Sequence, residues 1–170
     1  MATWTKKYDT HFHEVFTANE SYSKRVIDIA YKNKEKPRKD MAVWSDVKST
    51  YSYFYDDFFN VVLDCPENLD KNIAADILKK YSDIYTVGGD SKAWFERLKE
   101  FAKSIGFAST KAEYKKNPSA FYGTVADVAT LLRYATTGQY SAPDLYDVFC
   151  VIGEQRVKER FLKMAASLLD

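Results

Sequence analysis

The stretch LLRYATTGQYSAPDLYDVFCVIGEQRVKERF, residues 131–161, carries the residue types and spacing that best fit ligand recognition. Its pattern predicts a helix, a break, a second helix, a one-residue break and a third helix. The first break, TGQYSAPD, contains no acid–base pair, metal cluster or nucleophile. Arg133 lies one to two helical turns before the break, and the apolar Leu145 follows it. An arginine, a fixed turn and an apolar side chain together could grip an unstacked RNA base.

The break itself has recognisable capping signals. Gly138 stands where a left-handed residue would end the first helix. Ser141 precedes Asp144 by three residues, a spacing similar to a capping box. Pro143 then falls in the first turn of the next helix, where a missing N–H costs nothing. The free N–H groups at that helix start are expected to attract anions or acceptor-rich groups.

Catalytic and metal-binding patterns are weak elsewhere in the chain. His11 and His13 are the only histidines, and an HxH pair on a helix points its rings to different faces. A surface or stacking role is expected for them, and no metal is expected. VGGDSK lacks the GxxxxGK[ST] spacing of a phosphate loop and reads as a linker with a helix cap. No serine is placed to act with a histidine, so catalysis by this chain is not expected.

The segment YKNKEKPRK concentrates positive charge next to aromatic residues. Arg38 and Lys39 belong to it, and Trp44 follows shortly after. Cations beside aromatics suit phosphate contact and base stacking. The alternative is an ordinary polar loop next to a core helix in which Trp44 is buried. A second cluster on one predicted helix is interpreted as a solvated face, because acidic residues dilute it: Arg156, Lys158, Arg160 and Lys163.

Composition limits the class of protein. The 170 residues carry a formal net charge of +1, 46% hydrophobic and 16% aromatic residues. This balance argues against nucleic-acid binding by bulk charge alone, but a local basic face remains compatible with it. Cys65 and Cys150 have no CxxC context and are expected to be free thiols in a reducing cytoplasm. No apolar run reaches the length of a membrane span, and no membrane partner is expected.

Helical periodicity predicts an all-α fold throughout. KRVIDIAYKNK contains β-branched residues, but the helical spacing of Tyr22, Val26 and Ile29 favours a helix there. A further helix is marked by Val43, Val47, Tyr51, Phe54 and Phe58. The paired glycines of TVGGDSKAW interrupt the pattern, and Asp90 or Ser91 can cap the following helix. Two small helical halves are therefore expected, residues 1–87 and 88–170.

With these elements in place, the chain resembles a known family. VADVATLLRYATTGQYSAPDLYDVFCVIGEQRVKERF resembles the last domain of bacterial glutamate–tRNA ligases, which are class I aminoacyl-tRNA synthetases. That family typically shows a helix ending LR-ALTG, a turn with Pro followed by LF or LY, and an LG-ER step. This chain has LLRYATTG, SAPDLY and VIGEQRV at those places. WFERLKEFAKSIGFA and KPRKDMAVWSDVKSTYSYFYDDFF are also similar to stretches of that family.

The resemblance implies a C-terminal part of such an enzyme: the end of the stem-contact region and an all-helical, cage-type anticodon-binding region. The family's anticodon-reading arginine matches Arg133, and its turn proline and following leucine match Pro143 and Leu145. Ala142 replaces the hydroxyl residue common before that proline, and Ser141 could supply a hydroxyl instead. Gln139, on the same turn, is a further candidate for RNA contact.

The family's HIGH-like and KMSKS-like motifs, which serve ATP and glutamate, have no counterpart here. The resemblance therefore implies that ATP and Mg belong to the longer parent enzyme, and that this part needs no cofactor. The expected partner is the anticodon loop of a glutamate-specific tRNA, bound by a monomer. The competing interpretations are a helical module that binds another protein through its aromatic surface and, less favoured, a free-standing enzyme.

Overall fold

A computed structural model describes residues 2–32, 35, 43, 45–61, 65–67 and 69–170. These residues form α-helices joined by turns and short 3-10 segments, with no β-strand in the ranges just given. An isolated bridge pairs Ala108 with Thr124. The all-α prediction is confirmed. The chain divides into two compact units, Met1–Asn60 and Val61–Asp170.

The described residues of the first unit form four helices, α1 (Ala2–Tyr8), α2 (Thr10–Ala18), α3 (Glu20–Ala30) and α4 (Asp46–Tyr51), and a 3-10 turn, Ser52–Phe54. The helix predicted around Val26 is therefore confirmed as α3. The helix predicted from Val43 to Phe58 is shorter than expected, because the chain tightens into the 3-10 turn after Tyr51.

Aromatic packing and polar ties hold this unit together. Phe12, Tyr51 and Phe54 are fully buried. Tyr22 donates its hydroxyl to the Phe54 carbonyl at 2.6 Å, which fixes α3 against the segment after α4. Tyr55 likewise donates to the Ser23 hydroxyl at 2.9 Å. Buried rings with satisfied hydroxyls give this small unit a specific core.

In the second unit, six helices are formed by the part of the chain that the structure describes: α5 (Lys71–Ile84), α6 (Ser91–Ser104), α7 (Lys111–Lys116), α8 (Val125–Thr137), α9 (Leu145–Ile152) and α10 (Glu154–Ser167). A 3-10 turn, Pro118–Ala120, follows α7. The C-terminal helix α10 packs along α5 and also against α8 and α9, while α6 packs against α8 and α9. Leu78, Leu131, Phe149 and Phe161 are fully buried between these helices.

The boundary predicted between residues 87 and 88 falls inside the second unit. Tyr81 and Tyr85, near the end of α5, place their rings 5.8 and 6.3 Å from the ring of Phe161 on α10. The glycine pair is also tethered, since Arg97 donates to the Gly88 carbonyl at 2.8 Å. The loop that looks like a linker in the sequence therefore connects two helices of one core.

Candidate nucleic-acid interface

The turn between α8 and α9 is built as its glycine predicts. Gly138 ends α8 with φ 68° and ψ 12°, which confirms the left-handed cap. The buried Thr137 reinforces it: its hydroxyl donates to the Arg133 carbonyl at 2.8 Å and accepts from the Gln139 N–H at 3.1 Å. These bonds fix the direction in which the chain leaves the helix, directly beside Arg133.

Arg133 lies half-buried in the last turns of α8. Its Nε is a buried donor with no hydrogen-bond acceptor among the described residues. Leaving a buried donor without an acceptor costs free energy, and such groups are uncommon in folded proteins. Arg133 therefore has an unused donor next to a rigid turn.

The start of α9 differs from the expectation. Asp144, and not Ser141, is the N-cap, and its carboxylate accepts from the N–H groups of Tyr146 at 3.1 Å and Asp147 at 3.3 Å. Pro143 precedes this cap and is buried, so it does not lie in the first turn of the helix. Because the Asp144 carboxylate satisfies these N–H groups, this helix start is not the anion-attracting site that the sequence suggested.

The structure places the candidate residues of the turn at different depths. Ser141 is exposed and Gln139 is half-buried, so both can meet a ligand at the surface. Leu145, the first residue of α9, is only 3% exposed, and Pro143 is also buried. These two apolar side chains are therefore shielded from solvent, whereas Arg133, Gln139 and Ser141 are partly or fully accessible.

Two tyrosines that the sequence did not single out lie near the end of α8 and in the turn that follows it. The rings of Tyr134 and Tyr140 stack across the turn, with centroids 4.5 Å apart and planes inclined by 22°. Tyr140 is 55% exposed. The sequence carried no signal for this pair beyond the presence of tyrosines near a glycine, because the stack depends on the path of the turn.

The end of α8 is also held from α10. Arg160 is buried, and its Nη1 donates to the Thr136 carbonyl at 2.6 Å. The expectation that Arg160 belongs to a solvated basic face is therefore wrong, because it turns inward to a carbonyl at the helix end. Lys158 of the same cluster forms an ion pair with Glu154 at 2.9 Å. The guanidinium of Arg160 and the Thr137 hydroxyl hold the final turn of α8, which carries Arg133.

The other predicted RNA candidates, Arg38, Lys39 and Trp44, lie outside the described residues. Of their basic segment, Lys32 and Glu35 are described, and both are exposed. In the same unit, His11 packs edge-on against Phe58 at 5.1 Å and the ring of His13 contacts the Thr5 hydroxyl. In the described ranges, no group of three or more His, Cys, Asp or Glu could hold a metal ion.

A separate open cleft of about 740 Å³ lies between the end of α5 and α6. Its walls include Tyr81, Tyr85, Trp94, Arg97 and Phe101. Burial raises the pKa of Tyr81 to about 12 and also raises the pKa of Tyr85, so both phenols stay neutral at physiological pH. The cleft therefore offers aromatic surface with protonated phenols, and the charged residues Lys80, Asp83 and Glu100 also line it.

None of the described helices is long and apolar enough to cross a membrane. Cys65 and Cys150 are free, as predicted. Cys65 is buried and its thiol contacts the Leu69 carbonyl at 3.1 Å. Cys150 is half-buried in α9.

Sequence comparison identifies long relatives of this chain. No family model matches it. A glutamate–tRNA ligase of Clostridium perfringens strain SM101 is 37% identical over 167 residues, covering 96% of this chain and 30% of that protein. The glutamate–tRNA ligase of Acetivibrio thermocellus is 34% identical, covering 96% of the chain and 30% of its own length. That of Sorangium cellulosum is 32% identical, covering 94% and 28%.

The chain thus spans less than a third of the length of these curated relatives. The similarity extends over almost all of its residues, including both helical units. By this similarity the chain belongs to the glutamate–tRNA ligase family, as the counterpart of one region of those longer proteins.

Proposed function

We propose that this chain is a tRNA-binding module that reads the anticodon for a glutamate–tRNA ligase. The observation that carries the proposal is Arg133, a half-buried arginine whose Nε lacks an acceptor in the described part of the chain. It stands beside a turn fixed by Gly138 and Thr137. A base edge offers acceptors to an arginine, and single-stranded RNA loops present their base edges unpaired.

Each residue of the surface has a distinct part in this proposal. Arg133 donates to a base edge, and the exposed Ser141 and half-buried Gln139 offer polar contacts at the rim. Pro143 and Leu145 shape the pocket from beneath, because both are buried. The phosphate and stacking contacts proposed for Arg38, Lys39 and Trp44 belong to the basic segment of the first unit.

The activity of the longer protein is part of the same proposal. The relatives are named as ligases that join glutamate to tRNA, and ATP and Mg would act in a region that this chain does not contain. The chain alone is proposed to bind tRNA as a monomer and to catalyse nothing. Glutamate-dependent ATP–pyrophosphate exchange by the isolated chain would contradict this division of labour.

A binding titration with tRNAs that differ only in the anticodon tests the readout. The tRNA with the glutamate anticodon should bind more tightly than the other tRNAs. The affinities for all of them should fall as the salt concentration rises, because phosphate contacts release counterions. Arg133→Ala should cost about 1–3 kcal/mol of binding free energy for the matching tRNA and should reduce discrimination. Arg133→Lys should recover little of it, since lysine lacks the planar donor fork.

Arg25→Ala is the matched control, because Arg25 is an exposed arginine of the first unit that lies over the Tyr22 ring. It removes the same charge without touching the turn and should leave anticodon discrimination unchanged. Equal affinity for all anticodons, with no effect of Arg133→Ala, would sink the proposal. That result would favour the alternative of a protein-binding helical module.

A further inference from the structure

The Tyr134–Tyr140 pair differs from the other aromatic pairs of the described residues. Its interplanar angle of 22° is the smallest among them, and the remaining pairs are tilted or edge-on. Tilted and edge-on arrangements are typical of rings that fill a core, as between Tyr81 and Phe161. A near-parallel stack instead leaves its outer ring face in line for another planar group.

The exposure of the outer ring supports this distinction. Tyr140 keeps 55% of its surface exposed, whereas the core tyrosines Tyr81 and Tyr85 keep 4% each. Tyr134 stacks on the Tyr140 ring, and more than half of the surface of Tyr140 nevertheless remains exposed. A large aromatic surface is thus left in water on the turn that follows the helix of Arg133.

The position of Tyr140 is also fixed before any ligand arrives. It follows Gly138 and Gln139, and the Thr137 hydroxyl ties Gln139 back to the carbonyl of Arg133. A side chain held in place by a rigid turn and by a neighbouring ring loses little conformational entropy on binding. Preorganisation of this kind suits a stacking contact, whose energy depends on parallel alignment.

We propose that the Tyr134–Tyr140 stack is a base-stacking platform, on which one unpaired nucleobase lies against the outer face of Tyr140 while Arg133 donates to an acceptor of the bound RNA. The inference rests on the proposed function, since it names how the same turn would hold an anticodon-loop base. Every base has a π-face, so the platform supplies affinity and Arg133 supplies the choice of base. An aliphatic peptide side chain would gain nothing from the parallel geometry.

The test uses the 170-residue chain and anticodon stem–loop RNAs that carry the fluorescent adenine analogue 2-aminopurine at each loop position in turn. Stacking on tyrosine should quench the fluorescence at one loop position. Tyr140→Leu should remove that quenching and weaken binding by about fivefold or more. Tyr140→Phe should retain both, and Tyr140→Trp should bind at least as tightly as the unsubstituted chain.

Tyr122→Leu is the matched control. Tyr122 is a 65% exposed tyrosine with its own aromatic neighbour, Phe107, and it lies just before the start of α8, at the opposite end of that helix from Tyr140. Its removal should change neither quenching nor affinity. Thermal unfolding followed by circular dichroism should show that the Tyr140 variants are folded at the assay temperature. If Tyr140→Leu is unfolded, the comparison of Tyr140→Trp with the unsubstituted chain provides the test.

The outcomes separate the two proposals. Tight binding by the unsubstituted chain, without position-specific quenching and with no loss in Tyr140→Leu, would overturn the platform and leave anticodon binding intact. A weaker complex with Tyr140→Trp would also overturn it, because the larger ring should stack at least as well. If the unsubstituted chain binds none of the hairpins, both the platform and the proposed function fall.

Discussion

At the scale of single residues, Arg160 shows how a long side chain can hold a helix end from a distance. It reaches from α10 to the Thr136 carbonyl, 24 residues earlier in the chain. A cation near the last carbonyls of a helix also interacts favourably with the helix dipole. Helical periodicity places Arg160 among other basic residues and contains no information on this partner. Its inward role could therefore not be predicted from the sequence.

Replacing Arg160 with methionine should destabilise the second unit. The substitution keeps an apolar side chain of similar length but removes the charged donor, so the Thr136 carbonyl loses this hydrogen bond. A hydrogen bond to a charged group contributes about 1.5–3 kcal/mol. The measurement is the free energy of unfolding from urea denaturation. Lys163→Met, at an exposed position of the same helix, should stay within about 0.5 kcal/mol of the unsubstituted chain. If Arg160→Met and Lys163→Met lowered the free energy of unfolding equally, the contribution of Arg160 would be packing alone.

Asp9 should make the first unit sensitive to acid. Its carboxylate accepts from Lys48 Nζ at 2.6 Å and caps α2 through the Phe12 N–H at 3.0 Å. These contacts, the Lys48 hydrogen bond first, lower the pKa of Asp9 below its ordinary value of 3.8. A folded-state pKa below the unfolded value gives a stabilisation that is present above the unfolded pKa and is lost as the pH falls through the folded pKa.

Asp9→Asn tests this linkage, because asparagine keeps a cap acceptor and removes the charge. The unfolding free energy of the variant should depend less on pH below about pH 4 than that of the unsubstituted chain. Denaturant unfolding at several acidic pH values measures the difference. Asp76→Asn breaks an exposed ion pair with Lys80 on α5 and should alter the pH dependence little. An unchanged acid profile in Asp9→Asn would contradict the argument.

At the scale of elements, helices and caps were predictable where the signal is local. The left-handed end of α8 follows from Gly138, and the start of α6 follows from Asp90, whose side chain accepts from the Ala93 N–H. The sequence predicted the N-cap of α9 at Ser141, whereas the structure has it at Asp144. Ser141 and Asp144 are both good capping residues, and the deciding factor is the burial of Pro143 and Leu145, which is a tertiary effect.

Gly138 should be required for the end of α8. Alanine at φ 68° pays a steric cost of about 1–2 kcal/mol that glycine avoids. Gly138→Ala should therefore lower the melting temperature and weaken anticodon binding, because the turn directs Tyr140 and orders Arg133. Gly138→Asn is the graded control, since asparagine tolerates the left-handed conformation better. Identical behaviour of both variants would mean that the turn can rearrange without cost.

At the scale of the whole molecule, periodicity was enough for the fold class but not for the boundary between units. The glycine pair at 88–89 is typical of a linker. In the structure it is bound on both sides: Arg97 donates to the Gly88 carbonyl and the Tyr146 hydroxyl donates to the Gly89 carbonyl. The Val87 N–H also donates to Glu154 at 2.8 Å. The tethers from Tyr146 and Glu154 join residues 57 and 67 positions apart, and no local pattern reports them.

The position of α5 leads to a fragment test of the whole second unit. Residues 61–170 include α5 and should fold alone, because Ile77, Leu78 and Tyr81 are then available to cover α10. Residues 88–170 lack α5 and leave that face of α10 exposed to water. The longer fragment should unfold cooperatively in urea and keep Arg133-dependent RNA binding. The shorter fragment should show a weak, broad transition, since it loses the apolar area that α5 buries.

A further variant separates loss of packing from loss of chain length. Leu78→Ala in the longer fragment keeps every residue position but removes fully buried apolar volume against α10, which typically costs about 2–5 kcal/mol. It should shift the unfolding midpoint towards that of residues 88–170, whereas Lys79→Ala at the exposed neighbouring position should not. The opposite result would be that residues 88–170 unfold cooperatively and are as stable as the longer fragment. In that case α5 would have no part in the core, and the predicted boundary at residue 87 would hold.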